Sequence, residues 1–478
     1  MIKHTAIWIL VALSNISLFA QAKPNKFNLL FIISDDLCSN ALSCYGSTIC
    51  KTPNIDKLAK QGVLFKQAYC QATYCGPSRA SFMSGYYPHA TNVLNYKSGR
   101  KAIGDRATWA EHFKNEGYHT ARVSKIFHMP VPKGIERGDD GEDDARSWSE
   151  RFNSQGPEWK APGKGETLEG NPNNTKPPIG GNTFVRVEAD GDDLVHSDGK
   201  TAQKACELIK SYKGKQFFLA VGFVRPHVPF VSPKKYYKDY PWKDMPLPER
   251  IEDDWDDVPK SGINYKTSLN MKMSIDQQRK AISAYYASVS YMDAQVGKIM
   301  DTLKETKQED STIVIFTSDH GFHLGEHDFW AKVSLYQEST QIPLIINVPG
   351  KKPAISHSIV ELLDLFPTTA SLCNLPIPSR LQGKDVSPIL DNPNHSVRDE
   401  AFSVNAKGFL IRNERWAYIE YSDKKGKGGA ELFDMKNDPK QFTNLVKNPE
   451  YTHILKSMKQ NLITKLAEVR SSDLALKP

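Results

Sequence analysis

The segment Cys75-Gly76-Pro77-Ser78-Arg79 brings a thiol, a helix start and a guanidinium close together in the chain. Pro77 and Ser78 are typical of a first helical turn, where the missing N–H of proline removes no hydrogen bond. The side chain at position 75 would then lie at the positive end of the helix dipole, which stabilises an oxyanion. Arg79 can hold oxygen atoms there, because its guanidinium is a fixed fork of N–H donors. The same pattern also fits a buried structural cysteine ahead of a helix.

A second group of candidate residues directly follows two apolar runs: Asp35 and Asp36 follow one of them, and Asp319 and His320 follow the other. If both runs are strands of one open α/β sheet, their carboxyl ends lie where such sheets collect ligands. Hard carboxylate oxygens in this number suit Ca²⁺, with Mg²⁺ as the second choice. Two aspartates after a strand can also be a simple turn cap. Two acidic strand ends in a chain that also carries the Cys75 segment favour a metal site.

Two further histidines and an acidic run have less distinctive patterns. His323 and His327 could be drawn with His320 as a zinc cluster, since histidine is a common zinc ligand. Oxygen ligands dominate the predicted site, however, so we expect these two histidines to support the ligands or to face a substrate. The acidic run 252–257 is interpreted as a solvated loop without chemistry.

These residues need a sheet to position them, and continuous apolar runs predict its buried strands at 27–34, 217–224, 312–317 and 342–348. Helical patterns lie between the runs. One opens at Thr52-Pro53 and extends toward residue 64, and the clearest covers 274–304. Strands that alternate with helices predict an α/β fold, with a large mixed, mostly parallel sheet sandwiched by helices.

Two regions differ from this core. Residues 138–198 are rich in Asp, Gly, Asn and Pro and have weak periodicity, which predicts a long surface excursion beside the site. After residue 388, short polar–apolar alternations predict a small antiparallel sheet, and residues 449–469 predict a closing amphipathic helix. We therefore expect a catalytic domain over residues 23–395 and a smaller C-terminal subdomain over 396–478, with the boundary placed to within roughly ten residues.

The N-terminus has the pattern of an export signal. Lys3 supplies a positive charge, residues 6–20 are largely apolar, and Ala20 and Ala22 have the spacing that a signal peptidase accepts. We expect cleavage after Ala22, so that residues 1–22 are a signal peptide; the alternative is a membrane anchor. Since no later segment is apolar enough to span a bilayer, the mature protein is expected to be periplasmic or secreted, with no membrane contact after cleavage.

Composition limits the partners and the redox chemistry. Of 478 residues, 39% are hydrophobic and 24% charged, and the net charge of +7 favours an anionic partner only weakly. Since no basic run with interleaved aromatic residues occurs, we expect no nucleic-acid partner. Seven cysteines are an odd number for an exported protein. If Cys75 is chemically consumed, six remain, and some of these could pair.

Longer segments of the chain carry a family resemblance: NLLFIISDDL, CGPSRASFMSG, GYHTARVSKIFH, VGFVRPHVPF, FTSDHGFHLGEHDFWAKVSLYQEST and ELFDMKNDPKQFTNL. Together they resemble the type I, formylglycine-dependent sulfatases of the alkaline phosphatase superfamily, and among these most closely the iduronate-2-sulfatases. The resemblance extends over most of the chain. Its discriminating parts are Asp319-His320, where many sulfatases have Asp-Asn, and the R-P-H-V-P and W-A-K segments.

The resemblance implies a chemistry for Cys75, because C-x-P-x-R is the pattern that maturation enzymes recognise when they oxidise a sulfatase cysteine to formylglycine. The aldehyde of formylglycine hydrates, one hydroxyl attacks sulfur as the nucleophile, and the other expels sulfate as the aldehyde re-forms. The resemblance also implies an alkaline phosphatase-like fold, with calcium held by Asp35, Asp36, residue 75, Asp319 and His320.

Further roles follow from the resemblance. Lys125 and Lys332 match lysines that contact sulfate oxygens, and His128 matches a histidine that assists the hydrate. His227, between two prolines that make its loop rigid, matches the histidine that protonates the leaving alcohol. Taken alone, each of these would be an ordinary surface or loop residue. If the turn that carries Lys125 and His128 is helical, their spacing puts both on one side of it.

The substrate is expected to be a sulfated carbohydrate. The resemblance suggests a 2-sulfated uronic acid of a glycosaminoglycan, and a bacterial-looking signal sequence leaves open an algal polysaccharide such as ulvan, which also contains iduronic acid. Two other functions remain open, a phosphoester or phosphonate hydrolase of the same superfamily and a non-catalytic glycan-binding protein on the same scaffold. The filled catalytic positions argue against the latter. The implied partners are the carbohydrate and a formylglycine-generating maturation enzyme.

Overall fold

The computed structural model describes residues 27–170, 183–422 and 428–474, and the predicted signal peptide of residues 1–22 lies outside them. Their strands are β1 (Asn28–Asp35), β2 (Val63–Tyr69), β3 (His119–Ser124), β4 (Glu150–Phe152), β5 (Gly163–Thr167), β6 (Val185–Ala189), β7 (Phe217–Pro226), β8 (Phe230–Pro233), β9 (Thr312–Ser318), β10 (His323–Leu324), β11 (Trp330–Ala331), β12 (Gln341–Asn347), β13 (Ala354–Glu361), β14 (Glu400–Val404), β15 (Gly408–Asn413), β16 (Trp416–Tyr421) and β17 (Gly429–Asp434). Their α-helices are α1 (Pro53–Ala59), α2 (Cys75–Ser84), α3 (Pro88–Thr91), α4 (Arg100–Ile103), α5 (Trp109–Asn115), α6 (Lys133–Arg137), α7 (Ser197–Ser211), α8 (Ser268–Met271), α9 (Ile275–Glu305), α10 (Gln337–Thr340), α11 (Leu365–Leu372) and α12 (Thr452–Arg470).

The main sheet of the described residues has eight strands in the order β13-β2-β12-β9-β1-β7-β3-β4. Its pairings are parallel except at β12, which runs antiparallel to both β2 and β9. Strands β1, β7 and β9 are buried along their whole length, as expected for central parallel strands covered on both faces. The prediction of a mixed, mostly parallel sheet is confirmed.

Helices cover both faces of this sheet, and alternate side chains of β1 show how. Leu30 and Ile32 belong to a core cluster that includes residues of α7 and α9. Phe31 faces the other way and packs with Phe82 of α2 and Trp109 of α5. The rings of Phe31 and Trp109 meet edge to face at 4.9 Å between centroids. The predicted sandwich of helices around the sheet is therefore also confirmed.

The apolar runs of the sequence locate the central strands closely. β1, β7, β9 and β12 coincide with the predicted runs, and β7 extends two residues further, to Pro226. The long helix α9 follows the predicted pattern, with Ser274 as its N-cap. The Ser274 hydroxyl accepts a hydrogen bond from the Gln277 N–H at 3.2 Å, which satisfies one of the free donors of the first turn.

The helix predicted from Pro53 toward residue 64 is too long. It ends at Ala59, and the chain continues as β2 in the main sheet. Gly62 lies so close to β12 that an added Cβ would be 2.6 Å from the carbonyl oxygen of Ile346. The pairing of β2 with β12 and β13 therefore overrides the local helical pattern, because the chain must become extended to join the sheet.

Residues 138–198 were predicted to form a long surface excursion with weak periodicity. Their described residues instead form regular strands and the start of a helix, so the prediction of an irregular segment is wrong. These elements are β4, β5, β6 and the start of α7. β6 pairs antiparallel with β5 and parallel with β8, and its Val185 and Val187 are buried in a cluster with Val231. The polar composition of the flanking residues obscures the short apolar alternation that forms β6.

The C-terminal part forms the predicted antiparallel sheet, in the order β14-β15-β16-β17, and α12 packs against it. The helix predicted at 449–469 is α12, which begins at Thr452. β14 joins this sheet to the body of the molecule. The Thr73 N–H donates to the Val404 carbonyl at 3.2 Å, and the Val404 N–H donates to the Gln71 carbonyl at 3.0 Å. The boundary near residue 395 remains a prediction.

The sequence predicts no membrane span after residue 22 and leaves the pairing of cysteines open. In the parts of the chain that the structure describes, no helix is long and apolar enough to cross a bilayer. In those parts, Cys38, Cys44, Cys50, Cys70, Cys75 and Cys206 have free thiols. The pairing that the cysteine count allows remains a prediction.

A buried ion group joins β13, α11 and the segment before β14. Arg398 is 7% exposed, and its guanidinium binds the carboxylates of both Glu361 and Asp364. The Tyr87 hydroxyl also donates to Glu361, at 2.5 Å. Both carboxylates are fully buried, so the arginine neutralises charges that water cannot reach.

Replacing Arg398 with methionine is expected to lower the free energy of unfolding by about 3–5 kcal/mol, because it leaves buried carboxylates without a partner. Urea unfolding followed by circular dichroism measures this loss. Arg137→Met is the matched control, since Arg137 pairs with Asp139 at the surface, where such pairs contribute little. A loss at Arg398 no larger than that at Arg137 would contradict the stabilising role of the group.

Candidate active site

The carboxyl ends of β1 and β9 bring the predicted acidic residues together. The two strands are parallel neighbours with Ser34 opposite Ser318, so the residues that follow them leave the sheet side by side. Asp35 ends β1, and Asp36 follows with a φ of 64°, a left-handed conformation that aspartate adopts more readily than most residues. The Asp36 N–H donates to Asp319 Oδ1 at 3.3 Å, which links the two strand ends directly.

Most of the predicted metal ligands form one compact group. Ligand atoms of Asp35, Asp36, Cys75 and His320 all lie within 4.8 Å of one another. His320 Nε2 is 3.3 Å from both Asp36 Oδ1 and Cys75 Sγ. Asp319, the remaining predicted ligand, lies beside the group, with its Oδ2 at 3.6 Å from His320 Nε2. All of these residues are buried.

The chemistry of this group fits a cation. Asp35 Oδ1 and Asp36 Oδ2 have no hydrogen-bond donor among the described residues, although both side chains are fully buried. Burial raises the pKa of Asp36, against the opposing effect of Lys332, because an ionised carboxyl without water is costly. Two carboxylates with unpartnered oxygens and one imidazole suit a hard divalent cation. The residues present therefore fit the metal that the sequence predicts.

Helix α2 places Cys75 in its first turn, at the positive end of the helix dipole as predicted. Arg79, one turn later, is fully buried and bridges the two strand ends. Its Nε lies 2.9 Å from Asp319 Oδ2 and its Nη2 lies 3.4 Å from Asp35 Oδ1. Its Nη1 donates to the carbonyl of Lys125 at 2.6 Å. Arg79 therefore lies near Cys75 and also orients the candidate ligands Asp35 and Asp319.

Two buried lysines contact the acidic pair. Lys332 Nζ donates to Asp36 Oδ1 at 2.6 Å and lies 3.2 Å from Cys75 Sγ. Lys125 Nζ donates to Asp35 Oδ2. Burial lowers the pKa of Lys332, but Asp36, Cys75, Tyr96 and Asp35 together outweigh this effect and hold the pKa well above its usual value. Lys332 is therefore a charged ammonium group next to the Cys75 sulfur.

Lys125 and His128 do not share a helical turn, so the condition for placing both on one side of such a turn is not met. No helix covers residues 125–129, because the Lys125 N–H donates to the Gly222 carbonyl of neighbouring β7 at 3.3 Å instead of to an earlier turn. The His128 ring stacks on Tyr96, at 4.2 Å between centroids. Burial lowers the pKa of His128 to about 2, so its imidazole is neutral.

His227 lies at the end of β7 and is 5% exposed. Its Nε2 is 3.7 Å from Asp36 Oδ2, and its Nδ1 is 2.5 Å from the carbonyl oxygen of Val228. Since that carbonyl can only accept, Nδ1 carries a proton and donates it to the hydrogen bond. Burial lowers the pKa of His227 well below its usual value. Nε2 is thus the ring nitrogen that is directed at the acidic group.

Residues of the region predicted as a loose excursion hold His227 in position. Arg225 Nη1 donates to the His227 carbonyl at 2.8 Å, and its Nη2 pairs with buried Glu158. Asp198 accepts from the N–H groups of Val224 at 2.9 Å and Arg225 at 2.8 Å. The sequence patterns did not indicate Glu158 and Asp198 as functional residues. The helical pattern of α7, with Asp198 in its first turn, is the signal that could have indicated the second.

His323 and His327 are not part of the metal group found in the described residues. His327 Nδ1 is 2.9 Å from Asp254 Oδ2, and His323 is fully buried against Phe329. Neither ring nitrogen of His323 has a hydrogen-bond partner among the described residues. The expectation that the two histidines support the ligands or face a substrate remains a prediction. Asp254 is 7% exposed, so the interpretation of run 252–257 as a solvated loop is wrong for this residue.

Comparison with known proteins adds an independent finding. A family model described as Sulfatase matches residues 27–375, and one described as N-sulphoglucosamine sulphohydrolase, C-terminal, matches residues 325–468. The chain is 32% identical to the iduronate 2-sulfatase of Homo sapiens, over 78% of this chain and 75% of that protein. It is 30% identical to a sulfatase of Formosa agariphila, over 92% of this chain and 87% of that protein.

A solved structure also resembles this one. The phosphonate monoester hydrolase from Silicibacter pomeroyi superimposes with a TM-score of 0.78 at 20% sequence identity. The match covers 94% of this chain and 97% of that chain. At this level of identity, the likeness shows that the two proteins share a fold.

Proposed function

Because this chain belongs to the sulfatase family and is a sulfuric ester hydrolase, we propose that it cleaves sulfate esters from uronic-acid-containing poly- or oligosaccharides at the site around Cys75. The observation that carries the proposal is the buried group of Asp35, Asp36 and His320 beside Cys75, with the Lys332 ammonium 3.2 Å from the thiol sulfur. A cation site, a reactive residue at a helix N-terminus and a fixed positive charge together suit attack on an anionic ester.

The proposal includes a modified residue and a metal ion. Conversion of Cys75 by a maturation enzyme would supply a formylglycine hydrate as the nucleophile, and Ca²⁺, in preference to Mg²⁺, would supply the positive charge that acidifies it. The proposed ligands are Asp35, Asp36, residue 75, Asp319 and His320. One carboxylate oxygen of Asp35 and one of Asp36 accept no hydrogen bond from any described residue, which supports this assignment.

The charges of the site favour an anionic substrate. Three carboxylates contact three cationic side chains: Asp35, Asp36 and Asp319 with Arg79, Lys125 and Lys332. A divalent cation added to this balanced set leaves an excess of positive charge. Because the site is buried, that excess is weakly screened and attracts an anion strongly. A sulfate ester would compensate it on binding.

The side chains take the following proposed roles. Lys125 and Lys332 bind sulfate oxygens, and Arg79 keeps the strand-end carboxylates oriented. His128, whose imidazole is neutral and half-buried, assists the hydrate of residue 75. His227 protonates the leaving alcohol through Nε2, because its Nδ1 is occupied by a backbone carbonyl. The negative charge of a bound substrate favours the protonated ring that this step requires.

The proposed sugar is a 2-sulfated uronic acid. The identity of 32% with the human iduronate 2-sulfatase supports this choice. Glycosaminoglycans are the first candidate polymers, and ulvan is the alternative. We further propose that the protein is exported, to the periplasm or outside the cell, after removal of residues 1–22.

Sulfate release from defined 2-sulfated uronic-acid disaccharides tests this function, with a phosphate monoester and a phosphonate monoester as competitors. We expect kcat/KM for the best sulfate ester to exceed that for the phosphonate ester by at least about tenfold. The shared fold with a phosphonate monoester hydrolase makes that ester the relevant comparison. A preference for the phosphonate ester would contradict the proposed function and would support a phosphoester or phosphonate hydrolase instead.

His227→Ala is expected to lower kcat on a sugar sulfate by about 10²–10⁴-fold and to affect an aryl sulfate much less. A sugar alkoxide is strongly basic and needs a proton as it leaves, whereas a phenolate leaves without one. Parallel assays with a sulfated disaccharide and nitrophenyl sulfate measure the contrast, and the exposed His395→Ala variant is the control. Equal losses on both esters would make His227 a positioning or sulfate-binding residue.

A further inference from the structure

Tyr96 and Tyr265 are the most exposed aromatic side chains among the described residues, at 46% and 38%. An aromatic ring contributes most to the free energy of folding or binding when it is buried. An exposed ring with a fixed position therefore indicates a surface that a ligand covers. Neither tyrosine is explained by the proposed chemistry of the site. Both nevertheless lie close to Cys75.

Tyr96 forms a wall directly beside the reactive residue. Its ring covers Gly76 so closely that a Cβ added there would be 2.9 Å from Tyr96 Cδ1. One face stacks on His128 at 4.2 Å between centroids, and Tyr74 meets the ring edge-on at 6.1 Å. The ring is therefore held on several sides, while nearly half of the residue stays exposed.

Tyr265 is held on the segment that pairs with β11. Its N–H donates to Asn264 Oδ1 and its carbonyl accepts from Asn270 Nδ2, each at 2.9 Å. Asn264 Nδ2 donates to the Trp330 carbonyl at 2.9 Å. Trp330 is two residues before Lys332 in the chain, and the Lys332 ammonium is within electrostatic range of the Tyr265 phenol.

The two phenol groups lie within electrostatic reach of the same side chains. Burial of the phenol raises the pKa of Tyr96, and Cys75 and Tyr265 raise it further. Burial also raises the pKa of Tyr265, while Lys332 lowers it. Tyr96 and Tyr265 are thus within electrostatic range of each other, and both are within range of Cys75 and Lys332. Two separate segments therefore each carry a partly exposed aromatic ring near Cys75 and Lys332.

We propose that Tyr96 and Tyr265 are the walls of a sugar-binding subsite, where they contact the C–H faces of the pyranose ring whose sulfate reaches Cys75. A pyranose presents apolar C–H faces between rims of hydroxyl groups. A tyrosine presents a rigid apolar ring with one polar hydroxyl, so it can match both surfaces at little entropic cost. This inference rests on the proposed function, and it makes the two tyrosines specificity-determining residues that act on binding.

Tyr265→Ala is the sharper test, because Tyr96 also stacks on His128. We expect its KM for a sulfated disaccharide to rise about five- to tenfold, with kcat changed by less than about twofold. A short acyclic alkyl sulfate, which has no ring to stack, should be hydrolysed as by the wild type. Tyr265→Phe should keep most of the affinity for the disaccharide. Ile463→Ala, an exposed apolar residue of α12, is the control.

Binding of the desulfated disaccharide, measured by calorimetry, does not depend on turnover and separates this inference from the proposed function. We expect the dissociation constant to rise about five- to tenfold in both Tyr96→Ala and Tyr265→Ala, with melting temperatures near that of the wild type. Weaker binding in an enzyme without sulfatase activity would support the subsite and reject the function. Unchanged binding in both variants, or equal losses of kcat on the disaccharide and the alkyl sulfate, would overturn the subsite.

Discussion

Cys75→Ala is expected to abolish sulfate release, with kcat lower by at least about 10⁴-fold, because residue 75 is the precursor of the proposed nucleophile. The fold should be retained. Pro77 and the extended Tyr74 still define the start of α2, and alanine is a good helix former. A sulfate-release assay and far-UV circular dichroism measure the two outcomes.

Two further variants separate the modification from the rest of the site. Cys75→Ser keeps a hydroxyl group but should be nearly inactive unless the host oxidises serine. Cys206→Ala changes a half-buried cysteine of α7 and should keep full activity. Mass analysis of peptide 71–79 from native protein should show the modified residue. If Cys75→Ala kept more than a few per cent of the wild-type activity, the formylglycine mechanism would be ruled out.

Exhaustive chelation is expected to lower kcat on a sulfated disaccharide by about 10³-fold or more, because the ion stabilises charge mainly in the transition state. Binding of sugar units far from the sulfate should change little. Asp36→Asn should have a comparable effect, since it removes an oxygen ligand and the carboxylate partner of Lys332 at 2.6 Å. Activity should return to the chelated wild type when Ca²⁺ is added.

Thermal unfolding gives a readout of the ion that does not depend on activity. A ligand at a hundredfold excess over its dissociation constant stabilises the folded state by about 2.7 kcal/mol. Ca²⁺ should therefore raise the Tm of the metal-free protein, more than Mg²⁺ does, and Asp36→Asn should lose this response. Asp239→Asn, which changes a surface ion pair with Lys51, should keep it. Full activity without metal would contradict the proposal, and zinc in elemental analysis would overturn the oxygen-ligand argument.

Local patterns in the sequence were sufficient to predict the central strands of the main sheet. The apolar runs of β1, β7 and β9 predicted strands because a parallel strand in the middle of a sheet is buried on both faces, and the structure buries them completely. Parallel strands end at one edge of a sheet, so the residues after β1 and β9 were expected to meet. Asp35, Asp36 and His320 do lie in one group with Cys75.

Local patterns were misleading where tertiary pairing competed with them. The helix predicted from Pro53 toward residue 64 runs into residues that form β2, because the strand fills a place between β12 and β13. The spacing of Lys125 and His128 fits a helical turn, yet the Lys125 N–H bonds to a neighbouring strand. In both cases, a hydrogen bond to a distant strand replaced one to the preceding turn.

The sequence by itself therefore determined the α/β sheet, the family and the acidic strand ends, because each of these depends on residues that are close together in the chain. The tertiary structure decided which charged groups meet. Arg79 bridges Asp35 and Asp319, and Glu158 secures the loop of His227 through Arg225. A buried charge must have a partner, but the packing of the helices and loops on the sheet decides which distant residue supplies it.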